Sequence, residues 1–197
     1  MTANQFNIFW TSAYPGTIPI PHYFKEDYPD RWFRIHSLPD SKGYADNENE
    51  WDNLLERQNK IITHLLGHHS KILLVTGDHF TEGTKELFPI SAVKSIAEIP
   101  FVSLNDIDLH KLRPEEYEEG QVFRPIFSEQ TWQSGKFDNL LRDIADDQLK
   151  AFFVSIENHC IVAPYDGGID FILKDNETMK AYKEKYKDWL SAREDGL

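Results

Sequence analysis

The sequence predicts a single α+β domain in which a mixed or antiparallel sheet is covered by at least three helices. Two observations support this prediction: a C-terminal meander of three strand-like runs, and apolar stripes of helical period at several places along the chain. No linker rich in glycine, serine or charge divides the sequence, so we expect one domain over residues 1–197. A domain of this size removes about 70% of its unfolded surface from water, which is enough for one core.

Residues 1–45 combine many aromatic side chains with five prolines. Because proline fixes φ and removes a backbone donor, we expect no long regular element here. The aromatic content is too high for a disordered tail, so this segment is predicted to wrap over the core. Its one predicted strand covers residues 31–38, where Arg34 alternates with Phe33 and Ile35.

The strongest helix pattern covers residues 47–66, where apolar side chains form one stripe and charged side chains lie opposite. Asn47, followed three residues later by Glu50, has the form of a capping box, and Gly67 suits the end of the helix. Residues 71–76 then predict a buried strand. A connection that contains two glycines follows over residues 77–90.

The middle of the chain predicts short elements. These are a helix over residues 90–97, an extended segment over 101–109, an acidic turn over 114–120 and a strand over 122–127. Pro125 cannot donate to a ladder, which places the last of these strands at a sheet edge. A second helix is predicted to begin at Ser134, with apolar side chains from Phe137 to Leu149.

The last third predicts three strands in a row, over residues 151–156, 160–163 and 169–173. The short turns between them indicate an antiparallel meander. A closing helix is predicted to start near Asp175 or Asn176. Its predicted buried side chains are Met179, Tyr182, Tyr186, Trp189 and Leu190.

The formal net charge of −12 argues against nucleic acid and anionic membrane surfaces as partners. The same charge favours a basic protein as partner, or serves only to keep the protein in solution. No window approaches the length of a membrane span, and Cys160 is the single cysteine, so we expect a cytoplasmic protein. The oligomeric state is left open.

Two groups of residues are candidates for a binding site. The first lies where the early strand ends and comprises Arg34, His36, Ser37, Ser41 and Lys42. Arg34 and Lys42 could together hold an anion. In the alternative interpretation Arg34 pairs with a nearby carboxylate, and the serines cap the turn.

The second group is Asp166 and Asp170, which flank Gly167 and Gly168. Two carboxylates could act as an acid–base pair or bind a cation. Turn chemistry alone explains Asp166. Asp170 lies in an apolar strand, where a buried carboxylate needs an arginine or backbone donors.

The sequence predicts no metal site and no cofactor. His64 and His68 are one turn apart only if the helix continues past Gly67, and no phosphate-binding glycine pattern is present. Cys160 and His159 are adjacent in a strand and so point to opposite faces, which argues against a nucleophilic pair.

The chain resembles a bacterial family known only as a domain of unknown function. The resemblance is carried by three stretches: the Arg-Ile-His-Ser-Leu-Pro run from Arg34, the Pro-Tyr-Asp-Gly-Gly turn from Pro164, and residues 189–197. The resemblance implies a bacterial origin and no particular activity.

These observations favour a non-catalytic, acidic protein-binding domain, such as an immunity protein or antitoxin directed against a basic toxin. The alternative is an enzyme or small-ligand-binding protein that uses Arg34, His36, Asp166 and Asp170. A third hypothesis is self-association through surface aromatic side chains.

Overall fold

Eight strands pair into one antiparallel sheet in the computed structural model, which describes residues 1–84 and 90–191 of the chain, apart from the side chain of Ser91. The strands are β1 (Trp32–His36), β2 (Lys71–Thr81), β3 (Val102–Ser103), β4 (Ile107–Asp108), β5 (Gln121–Thr131), β6 (Ala151–Ser155), β7 (Cys160–Tyr165) and β8 (Gly168–Ile172). Their order across the sheet is β1-β8-β7-β6-β2-β5-β3, and β4 also pairs with β5. The predicted α+β single domain is confirmed.

The last three strands form the predicted C-terminal meander. β6 pairs with β7, and β7 pairs with β8, both antiparallel. All five residues of β6 are buried, because both faces of the sheet are covered at its centre. Cys160 begins β7 and is buried.

The described helices are α1 (Ala3–Ala13), α2 (Phe24–Asp27), α3 (Glu48–Leu66), α4 (Leu109–Leu112), α5 (Asp138–Ala145) and α6 (Asn176–Lys185), with short 3-10 turns between them. Helices α3, α5 and α6 contribute to one core with side chains of β1, β2 and the meander. Of the five side chains predicted to be buried in and after α6, Met179 and Tyr186 are buried. The other three are partly buried and pack against the same core: Tyr182, Trp189 and Leu190. Burial of these apolar faces is the main source of stability for such helices.

The opposite face of the sheet is covered by the N-terminal segment. Phe6 and Trp10 of α1, together with Tyr14 and Phe24, pack against buried side chains of β2 and β5–β8. The expectation of no long regular element in this region was wrong, because α1 lies entirely before the first proline, Pro15. Thr2 and Gln5 form a capping box that starts α1.

The prediction that the strand containing Pro125 lies at the sheet edge was also wrong. β5 pairs with β2 along its whole length and with β3 and β4 on its other side. Pro125 lies between the residues that pair with β3 and those that pair with β4, and its carbonyl oxygen accepts a hydrogen bond from the Leu104 amide at 2.9 Å. The missing N–H group of Pro125 therefore lies at the gap between the β3 and β4 pairings, where no backbone hydrogen bond is lost.

Two predicted helix starts differ in detail. Asn47 caps α3 as expected, but the Glu50 carboxylate accepts from the Asp46 amide at 2.7 Å, so the reciprocal half of the capping box is absent. Ser134 does not cap α5, since its hydroxyl donates to Asn59 and the helix begins after Phe137. The helix predicted over residues 90–97 consists of two 3-10 turns, Ile90–Ala92 and Lys94–Ile96.

Within the described part of the chain, no helix has the length and apolarity needed to cross a membrane. Residues 192–197 of the third family-like stretch, and residues 85–89 of the predicted connection, lie outside the described residues.

Candidate functional site

A cleft of about 280 Å³ lies on the sheet face that the N-terminal segment covers. We call it the Arg34 cleft. Its apolar lining residues are Pro19, Ile20, Pro21, Gly77, Phe123, Ala151, Phe152, Ala163 and Pro164. Its polar lining residues are His22, Arg34, Thr76, His79, Lys150, Tyr165, Asp166 and Asp170. An apolar cleft with a few polar groups is the usual form of a small-molecule site.

Arg34 and Asp170 face each other across the β1–β8 register and form a bidentate ion pair. Nε donates to Oδ1 at 2.6 Å, and Nη2 donates to Oδ2 at 2.8 Å. The two side chains are only 18% and 13% exposed. Burial alone would lower the pKa of Arg34. The hydrogen bonds that Arg34 donates to Asp170, together with the charge interactions with Asp170, Tyr165 and Asp166, outweigh burial, and the pKa is raised.

Two aromatic rings hold the Arg34 guanidinium in place. The centre of the guanidinium lies 4.4 Å from the ring centroid of Tyr165 and 5.6 Å from that of Trp32. Burial raises the pKa of Tyr165, so its hydroxyl is protonated at neutral pH. Because Asp170 uses Nε and Nη2, the Nη1 group of Arg34 keeps its two N–H donors free of any other described residue.

Glycine at position 77 shapes the floor of the cleft. A Cβ atom at Gly77 would lie 2.5 Å from the Arg124 carbonyl oxygen and 2.6 Å from the Phe123 ring. Glycine therefore lets Phe123 lie across β2. Next to it, the Thr76 hydroxyl donates to the Lys150 carbonyl oxygen at 2.6 Å and fixes the start of β6 beside the cleft.

Two histidines at the rim of the cleft were not among the predicted binding-site residues. His79 lies in β2, where its ring packs against Phe123 at 4.6 Å between centroids. His22 follows Pro21, and its Nε2 atom lies 3.4 Å from the Tyr117 hydroxyl. The partial burial of each ring lowers its pKa, so both imidazoles are neutral at pH 7. The predicted strand ended at residue 76, whereas β2 continues to Thr81. The strand-like alternation beyond residue 76 was the signal that could have placed His79 in β2.

Of the predicted site residues, the structure brings Arg34, Asp166 and Asp170 together in the Arg34 cleft. Asp166 is exposed at the β7–β8 turn, and it forms no hydrogen bond or ion pair with the part of the chain that the structure describes. It acts on Arg34 through charge alone and contributes to the raised pKa of that residue.

The other predicted residues lie elsewhere. The His36 carbonyl oxygen accepts from Arg57 at 3.4 Å, and His36 lines a separate cleft with Ser41 and Trp189. Ser37 is buried, and its hydroxyl accepts from the Gln58 amide at 2.9 Å.

Lys42 does not join Arg34 in an anion site. Its Nζ atom donates to Asp46 at 2.8 Å and to Glu50 at 2.6 Å. The hydrogen bonds that Lys42 donates to these carboxylates raise its pKa. The amine is therefore occupied at the start of α3.

Among the described residues, no group of three or more histidine, cysteine, aspartate or glutamate side chains could hold a metal ion. His64 instead contacts the Tyr186 hydroxyl through Nδ1. Burial raises the pKa of the Cys160 thiol to about 12, so this residue is not a thiolate at neutral pH.

Comparison with known proteins gives one match. The family model described as Domain of unknown function (DUF3885) matches residues 20–194. We found no similar protein among curated proteins and none among solved structures. The matched region contains every lining residue of the Arg34 cleft except Pro19. Because the match covers most of its length, the chain belongs to the DUF3885 family.

Proposed function

We propose that this protein binds a small organic molecule in the Arg34 cleft. The observation that carries the proposal is the meeting of the Arg34–Asp170 ion pair with an apolar wall in one concave site. Each part has a plain role in binding. The apolar wall removes the body of a ligand from water, and the fixed polar groups orient it.

The polar end of the cleft is preorganised. Arg34 is held by Asp170 on one side and by the Tyr165 ring on another, so its free Nη1 donors have a fixed direction. A donor that is already ordered costs little entropy when a ligand accepts from it. The combination of this fixed ion pair and the apolar wall is what supports binding.

The test uses aromatic fragments as probes, namely phenol, indole and toluene, observed by protein NMR. We expect chemical-shift changes in β7, β8 and residues 19–22. Ala163 lines the cleft, so Ala163→Leu fills part of it and should abolish these changes. Ala181→Leu makes the same chemical change at an exposed position of α6 and should leave them intact. If no fragment binds, or if Ala163→Leu binds the fragments as wild type does, the proposal is wrong.

A second candidate is the acidic protein-binding function predicted from the sequence, of which an immunity protein or antitoxin is an example. Glu115, Glu118 and Glu119 support it, because they are exposed on one short turn and form no ion pair with any described residue. Such unpaired carboxylates raise the rate at which a basic protein associates.

To test this candidate, a basic partner is captured from the host, and its affinity for the protein is measured at several salt concentrations. We expect the affinity to fall as ionic strength rises, and to fall in the triple variant Glu115→Gln, Glu118→Gln, Glu119→Gln. The matched control neutralises three exposed glutamates that lie elsewhere and also form no ion pair with a described residue, Glu56, Glu98 and Glu177. An affinity that is insensitive to both salt and the triple variant would rule this candidate out.

A further inference from the structure

We infer that the ligand of the Arg34 cleft is a zwitterion with an apolar side chain, in chemical class a free α-amino acid. This inference rests on the proposed function and names its ligand. It rests on Arg34 and Asp166, two oppositely charged lining residues that form no ion pair with each other. Arg34 keeps hydrogen-bond donors for a ligand, and Asp166 keeps acceptors.

Arg34 supplies the contact for the carboxylate. Its Nε and Nη2 atoms are taken by Asp170, and the two N–H donors of Nη1 remain for a ligand. Arginine with an ordered guanidinium is the usual partner of a carboxylate, because N–H donors and carboxylate oxygens match in charge and geometry. The stacking on Tyr165 keeps the guanidinium from turning away.

Asp166 supplies the contact for the ammonium group. It lies in the turn between β7 and β8, and both its carboxylate oxygens lack a partner among the described residues. Its charge is close enough to raise the pKa of Arg34, although the two side chains form no ion pair within 4.0 Å. A cation and an anion held apart in this way leave room for a molecule that carries both opposite charges.

Most charges of the lining are paired before a ligand enters. Arg34 pairs with Asp170, and Lys150 pairs with Asp147, which lies outside the cleft. Asp166 is the lining charge that has no ion-pair partner among the described residues, so the ammonium group of a ligand has a partner there. The carboxylate of the ligand accepts from the Nη1 donors of Arg34, which Asp170 leaves unused.

The size of the cleft suits the apolar part. Its volume of about 280 Å³ is larger than the ~150 Å³ apolar cavity that holds benzene, so a side chain of that size and two small polar groups fit. Ile20, Phe123 and Phe152 line the apolar part.

Calorimetric titration with four probes tests the inference: L-phenylalanine, phenethylamine, 3-phenylpropanoate and toluene. Phenethylamine lacks the carboxylate, and 3-phenylpropanoate lacks the ammonium group. We expect L-phenylalanine to bind about tenfold more tightly than either, because each lost charge-assisted hydrogen bond is worth roughly one decade in affinity.

Two variants assign the contacts. Asp166→Asn is expected to weaken L-phenylalanine about tenfold and to leave 3-phenylpropanoate unchanged. Asp40→Asn is the matched control, because Asp40 is also an exposed turn residue but lies outside the cleft. Since replacing Arg34 alone leaves Asp170 without its partner, the double variant Arg34→Gln, Asp170→Asn tests the carboxylate contact and should bind phenethylamine and L-phenylalanine equally.

The outcomes separate this inference from the proposed function. If toluene binds in the cleft as tightly as L-phenylalanine, or if Asp166→Asn leaves L-phenylalanine unaffected, the zwitterion is wrong and the small-molecule site stands. If none of the probes and none of the fragments binds wild type, both are wrong.

Discussion

Arg34 and Asp170 occupy directly opposed positions of β1 and β8, and two hydrogen bonds of 2.6 and 2.8 Å join their side chains. The pair lines the cleft and also joins the edge strand β1 to β8 of the meander. It therefore has a measurable role in stability, whatever ligand the cleft takes.

We expect Asp170→Asn to lower the free energy of unfolding by about 2 kcal/mol, because a partly buried guanidinium then loses its charged acceptor. The measurement is urea unfolding, in which the midpoint should fall without a change in slope. Asp106→Asn is the control, because Asp106 forms a bidentate ion pair with Arg124 in a more exposed place. The Arg124 side chain is 42% exposed and that of Asp106 is 45% exposed. This substitution should lower the free energy of unfolding by about 0.5 kcal/mol. Equal losses in the two variants would contradict the role given to burial.

Gly168 is expected to tolerate no side chain. A Cβ atom there would lie 2.0 Å from the Ile35 carbonyl oxygen, so β1 and β8 would have to move apart. We expect Gly168→Ala to cost about 3 kcal/mol in thermal or urea unfolding. Gly43→Ala, where a Cβ atom meets nothing within 4 Å, should be neutral within about 0.5 kcal/mol. A stable Gly168→Ala variant would mean that the two strands do not approach so closely.

Helix α1 is expected to contribute strongly to stability through Trp10. This side chain is 6% exposed, contacts Phe24 and Phe152, and donates from Nε1 to the Thr17 carbonyl oxygen at 3.0 Å. Trp10→Ala should lower the free energy of unfolding by about 3–5 kcal/mol. Ile8→Ala on the same helix, at a position that is 63% exposed, should change it by less than about 0.5 kcal/mol. Similar small effects in both variants would show that α1 is not docked on the sheet in solution.

Alkaline pH is expected to destabilise the fold through Cys160. Its folded pKa is raised by burial to about 12, above the unfolded value of about 9. The unfolded chain therefore releases a proton first, and this contribution to stability is complete below pH 9 and is lost as pH rises toward 12.

The loss from this one group should approach about 1.4 kcal/mol per pH unit within that window. Urea unfolding between pH 8 and 11 measures it. The comparison is Cys160→Ala, which should show a shallower decline. Parallel curves for the two proteins would contradict the assignment to Cys160.

Much of this fold could be predicted from periodicity and turn residues. The stripe of α3, the meander and the buried face of α6 were predicted because each pattern is local. Helix α1 was missed because the proline density of residues 15–39 was applied to residues 3–13, which contain no proline. The strand that contains Pro125 was wrongly placed at the sheet edge. A proline fits inside the sheet here because its missing N–H group faces the gap between β3 and β4, and these strands are too short to be predicted from the sequence.

The site was less accessible to sequence reasoning. Arg34 and Asp170 are 136 positions apart, and only the strand register brings them together. Lys42 was linked to Arg34 by closeness in sequence, yet the start of α3 carries the carboxylates that bind it. Residues from six separate strands line the cleft, so no single stretch of sequence could predict it.

The wall formed by residues 19–22 belongs to the N-terminal segment, whereas the rest of the cleft belongs to the sheet and the turns beside it. A molecule that fills the cleft touches both, so its binding free energy adds to the contacts that hold this segment on the sheet. Occupancy should thus slow protease cleavage and amide hydrogen exchange in α1, at a distance from the groups that recognise the ligand.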